Sequence, residues 1–295
     1  MLSSDGILSA SPATQTRWSP TVTLPPYPDR RHTRILLPTS AAHAAVLAAR
    51  HQAPYIAGAS AAQLGWSKAG CWPEQAINLH PLEELRGCQQ EGDHWSIGAL
   101  TRLSSLTTQP LLRNALPALH EALTGVGAPG IRHIATLGGN IGFGGDLVPT
   151  LLVLDAQVDW LQGNGEQQRS TLADWLLQPP AHALITHIRI PPQASGQCVF
   201  MEKLASREAF NPPRLNIASC WQWQALTEHR LAASGAGLAP RRLRHCEQAL
   251  TDSERLLTTS DLQPLLARDL PELINQPLLK VAANLLHAQW SKSRT

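Results

Sequence analysis

A chain of 295 residues, 43% hydrophobic and 16% charged, has the composition of a globular protein long enough for two domains. A formal charge of +2 excludes nucleic acid as an expected partner, and no apolar run reaches the length of a membrane span. Cys71, Cys88, Cys198, Cys220 and Cys246 stand far apart with no C-x-x-C pair, so they read as reduced thiols in a cytoplasmic protein.

Residues 1–31, rich in Ser, Thr and Pro, read as a flexible leader. From Arg34 the segments "RILLP", an alanine-rich helix capped by Thr39 or Ser40, and "PYIAG" give a β-α-β rhythm. Strands are expected at "QAINL" and "HWSIGAL". Helices follow in "TRLSSLTTQ" and "LLRNALPALHEALTGV", where Pro117 marks a kink or a new start. After the glycine-rich "ATLGGNIGFGGD" comes "PTLLVLDAQVDWL", then a hairpin turning at Asn164-Gly165. "ALITHIRIPP" alternates as a strand does. Long strands follow in "CVFMEKLAS", "LNIASCWQWQAL" and "HRLAASGAG", with closing helices at "RRLRHCEQAL" and "LPELINQPLLKVAANLLHAQW". The expected division is a leader at 1–31, an α+β domain of two subdomains at 32–195, and a C-terminal domain of antiparallel sheet plus helices at 196–295.

Common sites are absent from the sequence. "HEALT" is not a zincin helix, there is no Walker A loop, and no G-x-G-x-x-G opens a helix after a strand. Twelve histidines are scattered without metal-ligand spacing, so no metal is expected. Two glycine turns remain: "AGAS" (Ala57, Gly58, Ala59, Ser60) after "PYI", and "TLGGN" (Thr136, Leu137, Gly138, Gly139, Asn140) after "IRHIA". Amides in such turns can form a concave nest for an anion, and glycine lets the chain approach a phosphate closely. Each alone is more often an ordinary turn; two such turns suit the two phosphates of a dinucleotide.

With these turns, the ordered pieces "INLHPLEELRG", "WSIGALTRLSSL", "PTLLVLDA", "LITHIRIP", "MEKLASRE" and "GLAPRRLRHCEQAL" resemble the FAD-binding subunits of the molybdenum hydroxylases. That family includes xanthine dehydrogenase, aldehyde oxidoreductase and carbon monoxide dehydrogenase. The resemblance runs from about Arg34 to Leu250. It implies the two-subdomain α+β FAD-binding fold of the molybdopterin dehydrogenase type, with the FAD pyrophosphate over both turns. The first turn departs from the family's A-G-G-T-Asp/Asn: Ala59 replaces a glycine and Ala61 a polar residue. If position 59 needs a positive φ, alanine costs on the order of 1–2 kcal/mol, an affinity loss of about 5- to 30-fold.

The resemblance also implies that Asp146 contacts the ribityl-phosphate region, with an N-cap of the helix near Pro149 as the alternative. Ile185 would pack on the flavin ring, and Lys203 would sit at its pyrimidine end, where a solvated strand lysine is the plainer reading. Ser206 and Arg207 would begin a segment over the flavin face. The implied function is an electron-transfer subunit of an oxidoreductase, taking electrons from [2Fe–2S] clusters in a partner subunit, beside a molybdenum cofactor subunit, and passing them to NAD or another acceptor. The clusters need a partner, because these cysteines lack ligand spacing. The altered first turn leaves open a flavin-free assembly or scaffold subunit of the same complex. A stand-alone flavin oxidase ranks last, for want of an acid/base cluster.

Overall fold

The computed structural model describes residues 33–69, 72–193, 197–205, 213–222, 229–253 and 257–293. The expected leader, the boundary at 195–196, and Ser206 and Arg207 lie outside the described residues.

Strand β1 (Arg34–Leu36), helix α1 (Ala41–His51), strand β2 (Tyr55–Ile56), helix α2 (Ser60–Ala69) and strand β3 (Gln75–Asn78) open the fold. The strands make a parallel sheet in the order β1-β3-β2. Ser40 rather than Thr39 caps α1, its hydroxyl accepting from His43 N at 3.1 Å. Ala41, Ala44, Ala45 and Ala48 form the buried stripe of α1 at helical spacing, and side chains this small let the helix lie close to the sheet.

The second sheet is antiparallel, with β4 (Cys88–Glu91), β5 (His94–Gly98), β6 (Gln157–Leu161), β7 (Gln167–Thr171) and β8 (Leu184–Ile190) in the order β4-β5-β8-β6-β7. The hairpin turns at Asn164-Gly165, with Gly165 at φ 85°. Between β5 and β6 run α3 (Leu103–Thr107), α4 (Pro110–Ala115), α5 (Pro117–Thr124), α6 (Pro129–Ile134), α7 (Leu137–Phe143) and α8 (Val148–Val153); α9 (Leu172–Leu177) follows β7. Pro117 is a new start rather than a kink. Leu116 leaves the helical region at φ −132°, ψ 63°, and the missing proline N–H falls at the first position of α5.

The last sheet is antiparallel in the order β12-β11-β10-β9, from β9 (Gln197–Leu204), β10 (Leu215–Gln222), β11 (Arg230–Gly235) and β12 (Leu238–Arg242). Helices α10 (Arg244–Asp252), α11 (Thr259–Asp269) and α12 (Pro277–Ser293) complete the chain. Two expectations are corrected here. The helix expected from Arg241 begins only at Arg244, because Arg241 and Arg242 pair with Ala233 and Ala232 as the end of β12. The long closing helix is broken by Asn275, at φ 63°, into a 3-10 turn (Pro271–Leu273) and α12.

Strand alternation divides the core. Leu215, Ile217, Trp221, Leu231 and Ala233 face the closing helices, whereas Ala218, Cys220 and Ala232 join the cluster that contains α8. All six residues of α8 are buried.

Candidate functional site

The chain leaves β2 at Ile56 and turns through Ala57, Gly58 and Ala59 into α2. Ala59 holds φ 55°, the left-handed region that favours glycine. A Cβ added to Gly58 would stand 1.7 Å from Ile134 O, so this glycine is what allows the first turn to touch the end of α6, just before the second turn. The first α2 amide to bond back is Gln63 N, onto Ala59 O at 2.9 Å, which leaves those of Ser60, Ala61 and Ala62 without an intrahelical acceptor.

The second turn is itself a helix start. Thr136 caps α7 by accepting from Gly139 N at 3.2 Å. Leu137 N donates to Thr101 O at 3.1 Å, Gly138 N to Ala99 O at 2.8 Å, and Asn140 N to Thr136 O at 2.9 Å. These amides are engaged within the protein. Gly138 also permits the close approach to Ala99, whose Cβ would lie 2.7 Å from an added methyl. The Asn140 side chain accepts from Leu147 N at 3.2 Å and braces the turn into α8.

A cleft of about 220 Å³ opens between the turns, lined by Ala57, Gly58, Leu100, Ile134 and Thr136 together with His80, Arg86 and Arg102. Arg86 is held rigidly: it donates to His80 O at 2.8 Å and to Leu100 O at 3.2 Å. Its Nε lies 3.3 Å from the Glu83 carboxylate without making a hydrogen bond, so that contact is Coulombic only. A second cleft of about 440 Å³ shares both arginines and adds Cys88, Thr101, Ser105 and Gln109. Burial pushes the Cys88 thiol up to about 11, so it stays neutral there. Sequence reasoning did not single out either arginine. The available signal was the position of Arg102 at the end of "WSIGALTR", where it bridges to Thr136.

Asp146 and Lys203, far apart in sequence, form an ion pair. Asn216 Nδ2, opposite Lys203 in the sheet, donates to Asp146 O at 2.8 Å. Asp146 therefore does not cap α8; the cap position is Leu147, which provides no side-chain acceptor. Ile185 is 8% exposed within the main core cluster and lies opposite Trp160 of β6. Among the described residues no cluster of three or more His, Cys, Asp and Glu could hold a metal, and no helix is long and apolar enough to cross a membrane.

Residues 31–193, more than half of the chain, match the family described as the FAD binding domain in molybdopterin dehydrogenase. The chain belongs to this family. Members of known assignment agree: the nicotinate dehydrogenase FAD-subunit of Eubacterium barkeri is 30% identical over 162 residues, 49% of this chain and 51% of its own. The carbon monoxide dehydrogenase medium chain of Hydrogenophaga pseudoflava is 32% identical over 141 residues, 45% of this chain and 48% of its own. These matches span about half the length of each relative. Among solved structures, the carbon monoxide dehydrogenase from Hydrogenophaga pseudoflava that lacks the Mo-pyranopterin moiety superposes with a TM-score of 0.69 at 24% identity. That likeness covers 79% of this chain and 84% of the other. Quinoline 2-oxidoreductase from Pseudomonas putida 86 gives 0.66 at 18% identity, covering 80% and 85%. Both share the α+β fold of the family.

FAD is the cofactor of this FAD-binding-domain family, and the residues present fit it. A pyrophosphate needs close backbone approach and positive charge. The cleft provides both, with Ala57 and Gly58 on the backbone side and Arg86 and Arg102 as cations.

Proposed function

We propose that this chain is the FAD-binding electron-transfer subunit of a molybdenum-containing hydroxylase or dehydrogenase complex. The observation that carries the reading is the meeting of the two glycine turns at a cleft lined by two arginines, in a chain whose family binds FAD. Bound FAD can collect two electrons one at a time and release them as a pair. That chemistry suits a link between [2Fe–2S] clusters on a partner and NAD or another two-electron acceptor, with a molybdenum cofactor subunit as the source. The chain's own residues hold the cofactor: Gly58, Ala59, Ser60, Ala61 and Thr136 at the phosphates, with Leu137, Gly138, Gly139 and Asn140 shaping the second turn. Asp146 would face the ribityl-phosphate region, Lys203 the pyrimidine end of the flavin, and Ile185 would pack on its ring. The setting that suits such a complex is the cytoplasm.

A second reading is favoured by one observation. The amides of Leu137, Gly138 and Asn140 are already engaged within the protein. This supports a flavin-free scaffold subunit of the same complex. A visible absorption spectrum of the purified chain, with released cofactor identified by chromatography, separates the two. FAD near one per chain supports the first reading. A colourless chain that ignores added FAD overturns it in favour of the second.

A further inference from the structure

Among the described residues, no partner offsets the charge of Arg102 in the cleft. Its backbone is fixed on both sides, by Leu103 N on Ala135 O at 3.0 Å and Leu137 N on Thr101 O at 3.1 Å, so its Cα is tied to the second turn. Its guanidinium is exposed and, among the described residues, makes no hydrogen bond or ion pair. Arg86 beside it is the opposite case, bonded to two carbonyls and shadowed by Glu83. Both line both clefts. An unpaired fork next to a fixed cation suits a bridging dianion, because the Arg102 guanidinium can present two parallel N–H donors while Arg86 adds its charge. The first turn itself carries no charged side chain, reading Ala57, Gly58, Ala59, Ser60, Ala61.

We propose that Arg102 grips the FAD pyrophosphate against Arg86, adding a charged contact to the backbone of the first turn. This rests on the FAD reading above and adds to it a residue and a charge-based mode of retention.

The test uses the full chain freed of flavin, titrated with FAD and separately with ADP, at low and high salt, for the unaltered protein, Arg102→Gln and Arg102→Lys. Arg102→Gln is expected to weaken FAD and ADP alike by about tenfold or more, the size of one charge-assisted contact. It should also flatten the salt dependence of both titrations. Arg102→Lys, which keeps the charge but not the fork, should fall between. The exposed position predicts an unchanged melting temperature, and Arg102→Met serves as a second neutral variant should the glutamine chain fold poorly.

FAD binding by Arg102→Gln within twofold of the unaltered protein, with the same salt dependence, would overturn the proposal while leaving the FAD reading intact. A loss confined to FAD, with ADP unaffected, overturns it too, since the arginine would then act away from the pyrophosphate. An unaltered chain that takes up neither ligand overturns the FAD reading itself.

Discussion

Gly58 packs directly against the backbone of Ile134: a methyl on Gly58 would stand 1.7 Å from the Ile134 carbonyl oxygen and 2.6 Å from its carbon. Because the obstacle is backbone, nothing can rotate aside. Gly58→Ala is therefore expected to push the turns apart, with a destabilisation of about 3 kcal/mol, the upper range for overpacking. The purified variant should melt lower and retain no FAD. A melting temperature equal to that of the parent would show that the turns do not touch.

Ala59 gives a prediction of the opposite sign. The strain at φ 55° is present without any cofactor, so it is a cost to folding stability rather than to FAD affinity. Relief of about 1–2 kcal/mol, less the entropy of a freer unfolded chain, leaves Ala59→Gly more stable by roughly 1 kcal/mol. For a chain of this size that is a rise of a few degrees in Tm. FAD affinity should stay the same. An affinity gain without a rise in Tm would mean that the turn changes shape when ligand binds.

Lys203 is paired with Asp146, so its charge is partly balanced before any flavin is present. Its removal should still lower the potential of a bound flavin, by about 30 mV for each 1.4 kcal/mol of preference for the reduced ring. Redox titration of Lys203→Ala with flavin bound measures this. An unchanged potential would assign the lysine to the ion pair alone.

His229 predicts an acid limit to stability. It is 6% exposed, its ring lies 5.1 Å from that of Trp221, and burial holds its pKa below the ordinary value. A group whose folded pKa is depressed takes up protons more readily when unfolded. Stability is thus full above about pH 6.5 and falls as pH drops below it, by at most about 1.4 kcal/mol per pH unit from this residue. His187, depressed by burial in the same sense, adds to the slope. Urea unfolding of His229→Phe between pH 7 and pH 5 should show a shallower decline than the parent, and equal slopes would remove His229 as a source.

What the sequence disclosed followed local periodicity. Strand β8 alternates with a repeat of two, α1 carries its alanines at helical spacing, and the hairpin at Asn164-Gly165 has the residues its turn needs. Strand β4 was not foreseen, because "CQQE" has no apolar alternation and pairs only with β5 at the sheet edge. Helix α11 has no counterpart among the expected helices, although Thr258 and Asp261 form a capping box at its start; it also carries Pro264, an unfavourable residue inside a helix. At the site, the glycines were visible as glycines, but their closeness to Ile134 and Ala99 was not. The pairing of Asp146 with Lys203 and the convergence of Arg86 and Arg102 depend on chain closure over long separations, and no local pattern encodes that.

Helix α8 has the C-terminal sheet as one of its walls: Ala218, Cys220 and Ala232 belong to the same apolar cluster as Leu151 and Leu152. Two further ties close that seam at its edge, since Asp155 accepts from both Arg230 and Arg242. The stretch that matches the family, residues 31–193, is therefore not a detachable cassette. Cut loose at its last residue, it would carry an open greasy face where α8 had been roofed. The C-terminal sheet is thus part of what keeps α8 dry.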